Sequence, residues 1–219
     1  MQTLKTIIVL ICLKCVCAYF TLPGECPKDV TLKDDFNLAA FEGPWYQAYH
    51  YSSDGQTLSN CSMVEVLSNP RGIFVNYSRI DRGLFHRYSI GKLELNKVKY
   101  NRMNTDSPLL KVKFYFENAP RRLRERKYEF SVLATNYKHY ATAYTCQYSP
   151  LINKHYIHVW ILSRHSILND VSKELALKPL SQIGVEPGNV IKDNWDKCEP
   201  KYYEDRETEP VTFRYAVPI

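Results

Sequence analysis

Two histidines lie close enough in the sequence to suggest a metal site, His155 and His158. They fall in a segment that alternates like a strand. Residues three apart on a strand face opposite sides of a sheet, so the two rings cannot share an ion. The chain also lacks the Gly-X-Ser-X-Gly, His-Glu-X-X-His, phosphate-loop and dinucleotide motifs. We therefore predict no catalytic residues, no metal site and no enzyme activity.

Cysteine chemistry is the second possibility, because the chain has seven cysteines. Three of them, Cys12, Cys15 and Cys17, lie in an N-terminal segment that we predict to be removed. An even number at wide spacing in an oxidising compartment indicates two disulfides, since a zinc site would need close pairs. The count alone leaves three pairings open, and each of them leaves no thiol for catalysis. The four remaining cysteines are Cys26, Cys61, Cys146 and Cys198.

Residues 1–18 have the pattern of a secretory signal peptide. The apolar run is far shorter than the roughly 20 residues of a spanning helix, so we expect secretion and no membrane span. Removing the lysines at 5 and 14 lowers the formal net charge from +6 to +4. The basic residues are scattered and no recognition motif accompanies them, so we predict no nucleic-acid partner. We expect one domain over 19–198 and a charged, proline-containing tail over 199–219.

The middle of the chain alternates between apolar and polar residues, as strands do. In residues 110–117, Leu110, Val112 and Phe114 share one face and the lysines share the other. Similar runs lie at about 45–53, 61–68, 72–79, 84–95, 127–135, 138–147 and 155–163. Eight strands separated by turn residues predict an all-β, up-and-down sandwich or barrel.

One helix is predicted after the strands, over about 169–180, with Asn169 or Asp170 as its N-cap. We expect this helix to lie against the outside of the sheet. The apolar stripe that would face the sheet consists of Leu168, Val171 and Leu175.

Three segments resemble the blocks that lipocalins share. They are Gly43-Pro44-Trp45-Tyr46, the run from Val132 to Ala141, and the run from Val159 to Arg164. The likeness covers about residues 25–198 and is greatest to the insect bilin-binding proteins, such as insecticyanin, and to apolipoprotein D. One departure is Asn136, where the family usually has Asp, but the amide oxygen can still accept a backbone hydrogen bond.

The resemblance implies an eight-stranded antiparallel lipocalin barrel with one C-terminal helix packed on its outside. The barrel would be closed where the three blocks meet, with the indole of Trp45 at the base and the guanidinium of Arg164 stacked across it. Such a cation–π contact contributes about 1–2 kcal/mol when shielded from water. We expect these residues to hold the fold without touching a ligand. The motif comprises Gly43, Trp45, Thr135, Asn136, Tyr137 and Arg164.

The resemblance also implies which cysteines pair. In the relatives the N-terminal cysteine bonds to a late strand, and an early strand bonds to the segment after the helix. Carried over, the disulfides are Cys26 to Cys146 and Cys61 to Cys198, and both would pin the termini to the barrel wall.

The predicted ligand site lies inside the barrel. If Arg164 faces inward, then His158 and Trp160 share its face, while Ile157, Val159 and Ile161 face the helix. By the same count Trp45, Gln47 and Tyr49 point inward. Each lining residue could instead be plain core filling, because small barrels can be packed solid. The predicted ligand-binding residues are Tyr49, Asn76, Tyr88, Phe114, Phe116, His158 and Trp160.

A basic segment is expected at the open end, because lipocalins place the connection between these strands there. Arginine forks match carboxylates bidentately, so this segment is a candidate partner for the propionates of biliverdin or for a fatty-acid carboxylate. The alternative is a solvated loop whose exposed ion pairs are worth under about 1 kcal/mol each. The segment contains Arg121, Arg122, Arg124, Arg126 and Lys127.

Two sequons, at Asn60 and Asn76, are candidate glycosylation sites. Asn76 also matches a cavity position of the relatives, and a residue cannot serve both roles.

The sequence therefore predicts a secreted carrier that binds a small hydrophobic ligand without a covalent bond. A bilin pigment such as biliverdin is the first candidate ligand, and no other cofactor is required. The alternatives are an apolipoprotein D-like transporter of fatty acids, sterols or other lipids, and a secreted interaction protein with an empty cavity. A second copy of the chain or a cell-surface receptor is a further candidate partner.

Overall fold

The computed structural model describes residues 22–53, 59–81, 85–94, 106–115, 124–196 and 198. The predicted signal peptide over 1–18 and tail over 199–219 lie outside the described residues. No helix of the described part of the chain is long and apolar enough to cross a membrane.

Eight long strands form the barrel, and two short strands pair with the last and the first strand of the barrel. The bounds are β1 Leu22–Pro23, β2 Gly43–Ser52, β3 Ser59–Asn69, β4 Gly72–Asp81, β5 Phe85–Glu94, β6 Leu109–Tyr115, β7 Glu125–Thr135, β8 Tyr140–Ser149, β9 Lys154–Ser163 and β10 Ile191–Lys192. Strands β2 to β9 pair antiparallel in chain order, and β9 pairs back with β2. This closed up-and-down barrel confirms the predicted fold.

The helices lie at the closed end and on the outer wall. They are α1 Leu38–Phe41 and α2 Asp170–Leu177, with 3-10 segments at Lys178–Ile183 and Pro187–Asn189. Asn169 caps α2, because its side-chain oxygen accepts a hydrogen bond of 2.8 Å from the backbone N–H of Ser172. The predicted apolar stripe is wrong in part, since Val171 is 70% exposed and Leu175 is also exposed.

Small residues of α2 face the barrel wall instead. Ser172 and Ala176 are buried, and the hydroxyl of Thr142 on β8 donates a 2.7 Å hydrogen bond to the carbonyl of Ala176. Leu168 packs into the same outer cluster, as predicted, beside Ile157 of β9. The helix therefore docks through close backbone approach and through the flanking Leu168.

The closed end is filled by rings around Trp45, which is 0% exposed. Its indole N–H donates to the carbonyl of Phe41 at 2.8 Å, and the two rings lie 5.0 Å apart. Phe36 packs against Phe41 at 5.3 Å. The base of the barrel is therefore a packed cluster.

Arg164 covers this cluster from outside. Its guanidinium carbon lies 3.7 Å from the centre of the Trp45 ring. Its three nitrogens donate hydrogen bonds of 2.9–3.1 Å to the carbonyls of Tyr137, Pro44 and Ala40. Gly43 permits this approach, because it has φ +92° and a β-carbon there would lie 3.3 Å from a guanidinium nitrogen.

The turn between β7 and β8 is held by its own side chains. The Thr135 hydroxyl accepts from the N–H of Tyr137 and donates to the carbonyl of Tyr140. The amide oxygen of Asn136 accepts from the N–H groups of His139 and Tyr140, at 2.8 and 3.1 Å. Asn136 thus makes the backbone hydrogen bonds expected of it.

Two disulfides tie the ends of the chain to the barrel, Cys26 to Cys146 and Cys61 to Cys198. They have the pairing that the resemblance implies. The second disulfide fixes the segment that follows β10 beside β2 and β3.

Candidate functional site

Aromatic rings line the interior toward the open end of the barrel, where β6 ends and β7 begins. Phe114 and Tyr128 meet edge to face with centroids 5.7 Å apart. Phe130 meets Trp160 in the same way at 5.3 Å, and lies 6.3 Å from Tyr128. His158 stacks on Trp160 at 6.2 Å. Three strands thus contribute one continuous aromatic wall, which suits a flat apolar ligand.

The strand alternation predicts part of this wall correctly. Trp160 packs in the inner cluster with Phe114, while Ile157, Val159 and Ile161 pack in the outer cluster under α2. His158 shares the face of Trp160, and its Nδ1 lies 2.9 Å from the hydroxyl oxygen of Ser52. Contact of these residues with a ligand stays a prediction.

Tyr49 does not line the interior, so that prediction is wrong. Its ring packs with the outer cluster, and the ammonium of Lys173 on α2 lies 5.1 Å from the ring centre. The cause is a β-bulge between Gln47 and Tyr49, which shifts the alternation by one residue. His50 takes the inward position instead, opposite Trp160.

Asn76 also lies on the outer wall, contrary to its predicted cavity position. Its neighbour Val75 belongs to the inner cluster, and its cross-strand partner Ile90 is 44% exposed. The Asn76 amide donates a 3.4 Å hydrogen bond to Glu65, which is its partner on β3. An outward Asn76 is compatible with the sequon, and glycosylation there and at the exposed Asn60 stays a prediction.

Some predicted residues fall outside what the structure describes. These are Phe116, Arg121, Arg122 and the side chain of Tyr88.

The described part of the basic segment belongs mostly to strand β7, so the prediction of a loop is wrong for Arg126 and Lys127. Lys127 forms an ion pair with Glu94 at 3.3 Å, and Glu125 pairs with Lys113 at 2.7 Å. These two exposed ion pairs lie on the outer wall of the barrel. Lys127 therefore does not face the entrance, while Arg124 is exposed just before the strand.

Arg126 faces the interior, because it pairs with Phe114 of the inner cluster. A second interior cation, Arg79, was not predicted. It lies two residues beyond Tyr77 on β4, and its guanidinium carbon is 5.9 Å from that ring. Alternation could have found Arg126, since it precedes Tyr128 by two. Arg79 follows the inward Val75 by four, but the two faces of β4 are not distinct in the sequence, so only the structure places Arg79 inside.

Both guanidinium groups act on the phenol of Tyr128. Burial raises the pKa of Tyr128, and the charges of Arg126 and Arg79 oppose that increase without cancelling it. The phenol therefore stays protonated at neutral pH and can donate a hydrogen bond. Two cations and one hydroxyl donor beside an aromatic wall can bind a carboxylate.

The sequence and the fold of this chain are similar to those of known proteins. Residues 93–193 match the model of the lipocalin / cytosolic fatty-acid binding protein family. Insecticyanin-B of Manduca sexta is 30% identical over 184 residues, which cover 82% of this chain and 84% of the relative. The chain belongs to the lipocalin family. As a lipocalin it is a carrier of small hydrophobic ligands.

Further relatives agree with this membership. The bilin-binding protein of Pieris brassicae is 24% identical to this lipocalin over 155 residues, 68% of the chain and 72% of the relative. The solved structure of insecticyanin from Manduca sexta has a TM-score of 0.67 at 27% identity, covering 81% of the chain and 90% of that structure. Lobster apocrustacyanin A1, at a TM-score of 0.59, 21% identity and coverage of 80% and 90%, shares the fold.

Within the described ranges, no three His, Cys, Asp or Glu side chains converge as a metal ion would require.

Proposed function

We propose that this lipocalin is a secreted carrier that encloses a bilin pigment such as biliverdin in its barrel. The observation that carries the proposal is the interior aromatic wall with Arg79 and Arg126 beside Tyr128. Biliverdin is flat and conjugated and bears two propionates, so it matches both parts of the site. The name of one relative, the bilin-binding protein of Pieris brassicae, supports the same ligand class.

Binding is driven by desolvation of the tetrapyrrole against the rings of Phe114, Phe130 and Trp160. The arginines then orient the ligand, because a guanidinium holds a carboxylate in a fixed geometry. These interior cations are better placed for this task than the exposed Arg124, since a charged hydrogen bond strengthens away from water.

The bond to the pigment is non-covalent. The four cysteines at 26, 61, 146 and 198 are joined in disulfides, so none of them offers a thiolate. The same two disulfides support secretion, because such bonds persist in oxidising compartments.

Purification from the natural source tests the proposal directly. We expect a blue-green protein whose visible absorption bands co-elute with the polypeptide and are released on denaturation in acid. A colourless protein with extractable lipid would favour a lipid transporter, and a colourless, lipid-free protein would favour an interaction protein. The lipid alternative has one specific support, since the arginine pair also suits the carboxylate of a fatty acid.

Removing the two interior charges tests the carboxylate site. We expect R79Q/R126Q to raise the Kd for biliverdin by about 10–100-fold, because each charged hydrogen bond contributes on the order of 1.5–3 kcal/mol before screening. The measurement is quenching of tryptophan fluorescence during titration. The wild-type protein should bind biliverdin dimethyl ester about as weakly as the variant binds biliverdin.

A matched control removes the same number of charges elsewhere. Arg71 and Lys138 are exposed on turns at the closed end, so R71Q/K138Q should change the Kd by less than about twofold. Equal affinity of the wild-type protein for biliverdin and its dimethyl ester would rule out a role for the carboxylates.

A further inference from the structure

Two polar side chains of β2 and one distant carboxylate form a buried cluster beside the aromatic wall. The carboxylate of Asp193, whose side chain is 0% exposed, accepts hydrogen bonds of 3.0 Å from the amide of Gln47. It also lies 3.0 Å from Nδ1 of His50. The sequence pattern does not predict these contacts, because Asp193 reaches β2 through the short strand β10 and through the 3.0 Å hydrogen bond from its N–H to the carbonyl of Ala48.

The cluster faces the interior of the barrel. Gln47 pairs with Leu162 and His50 pairs with Trp160, and both partners pack in the inner cluster. Directly opposed residues of antiparallel strands share a face, so the two side chains of β2 point inward as well. The site is therefore continuous with the proposed ligand cavity.

One nitrogen of the cluster has no hydrogen-bond partner in the part of the chain that the structure describes. The side chain of His50 is only 9% exposed, and its Nε2 is buried and makes no hydrogen bond to the described residues. His50 lies opposite Trp160 on the inward face of β2, so this buried nitrogen belongs to the interior side of the strand. An unsatisfied buried polar atom destabilises the unliganded protein, and a ligand group that pairs with it recovers that free energy.

A second buried polar atom in the same region also has no partner among the described residues. Ser62 has a fully buried hydroxyl oxygen with no hydrogen bond to the described residues. Tyr46 of β2 and Met63 of β3 form the last pair between these two strands. Beyond this pair the strands separate, and the first residues past it are Gln47 on β2 and Ser62 on β3. Ser62 falls within the β-bulge of β3 between Asn60 and Met63, just past the last pair of β3 with β2.

The carboxylate of Asp193 determines which ring nitrogen of a neutral His50 carries the proton. An ionised carboxylate only accepts, so the proton of a neutral His50 ring lies on Nδ1 and Nε2 presents a lone pair. We propose that His50 and Asp193 form a recognition site in which Nε2 of His50 accepts a hydrogen bond from an N–H or O–H group of the ligand. This inference rests on the proposed function and deepens it, because it selects ligands that carry a donor, such as a pyrrolic or lactam N–H.

The site separates two ligand classes that the arginines alone do not. A bilin carries N–H donors along its ring system, whereas an ionised fatty acid carries none. His50 therefore favours the bilin, while the arginine pair accepts either carboxylate.

The test compares probes with and without a donor. In H50F, which keeps a ring but removes the acceptor, the Kd for biliverdin should rise about tenfold while the Kd for the fluorescent fatty acid cis-parinaric acid stays within about twofold. H50Q should restore most of the biliverdin affinity, because its amide oxygen can accept. His139 is exposed on the turn between β7 and β8, so H139F is the matched control and should bind all probes like the wild-type protein.

The same experiment distinguishes failure of this inference from failure of the proposed function. An unchanged biliverdin Kd in H50F would overturn the role of His50 and leave the pigment function standing. If the wild-type protein rejects biliverdin, the pigment function fails, and retinol against retinyl methyl ether decides the inference. Preference for retinol in the wild-type protein, lost in H50F, supports His50. Equal affinities, or no binding of any probe, overturn it.

A measurement on the wild-type protein covers the case in which H50F does not fold. The 15N resonance of His50 Nε2 should move when biliverdin, or retinol if biliverdin does not bind, is added. A resonance that does not move at saturation would overturn the inference.

Discussion

Replacing Trp45 with alanine is expected to lower the free energy of unfolding by about 3–5 kcal/mol, the range for deleting a large buried ring. The indole is fully buried, and its loss would also orphan the carbonyl of Phe41. Arg164 would lose the ring on which its guanidinium lies. The measurement is urea unfolding followed by circular dichroism, which does not depend on the deleted fluorophore.

The W45A variant also tests whether the closed end of the barrel takes part in ligand binding. We expect the Kd of folded W45A for biliverdin to stay within about threefold of the wild-type value, because Trp45 lies at the opposite end of the barrel from Arg79 and Arg126. W195F is the comparison for unfolding only, since Trp195 is half-buried outside the barrel, packs edge-on against Tyr46 at 5.0 Å and donates a 2.8 Å hydrogen bond to the carbonyl of Gln47. It should lose about 1 kcal/mol or less.

A double-mutant cycle isolates the cation–π contact. R164M removes three hydrogen bonds and the charge, W45L removes the aromatic ring, and the double variant W45L/R164M measures the coupling between the two residues. We expect a coupling of about 1–2 kcal/mol. Additive losses in the cycle would mean that Arg164 stabilises the fold through its carbonyl partners alone.

The barrel and its closed end could be predicted from sequence because their signals are local. Strand alternation and turn residues fix eight strands, and the motif around Trp45 identifies the base. Tyr49 was placed on the wrong face because a β-bulge leaves no mark in the alternation. Val75, Asn76 and Tyr77 give no clear face by themselves, so the cavity position predicted for Asn76 rests on the resemblance alone, and the structure contradicts it.

The polar part of the candidate site shows a different limit. Arg126 could be assigned to the interior by counting from Tyr128, once β7 is known to begin at Glu125. His50 and Asp193 could not be joined, because 143 residues separate them and no periodicity links a strand to a short segment after a helix. The pair depends on where the C-terminal segment docks, which tertiary packing decides.

The disulfides give the other large effect. Removing either disulfide, as C26A/C146A or C61A/C198A, should lower the free energy of unfolding. The chain-entropy estimate of the loss is about 5 kcal/mol, and the loss in typical proteins is about 2–5 kcal/mol. The cross-linked residues are 120 and 137 positions apart, so the entropic terms are nearly equal. Urea unfolding at low temperature, where both variants retain structure, measures the loss.

Ligand binding should separate two variants that lose similar stability. The bond from Cys61 to Cys198 holds the segment that places Asp193 against His50, and the backbone N–H of Cys61 also donates to the carbonyl of Asn194 at 3.4 Å. We therefore expect folded C61A/C198A to bind biliverdin about tenfold more weakly, like H50F, while C26A/C146A stays within about twofold. Because each variant is the control for the other, equal Kd values would show that Asp193 keeps its place without the disulfide, anchored by the β10 pairing and by the 2.8 Å hydrogen bond from Trp195 to the carbonyl of Gln47.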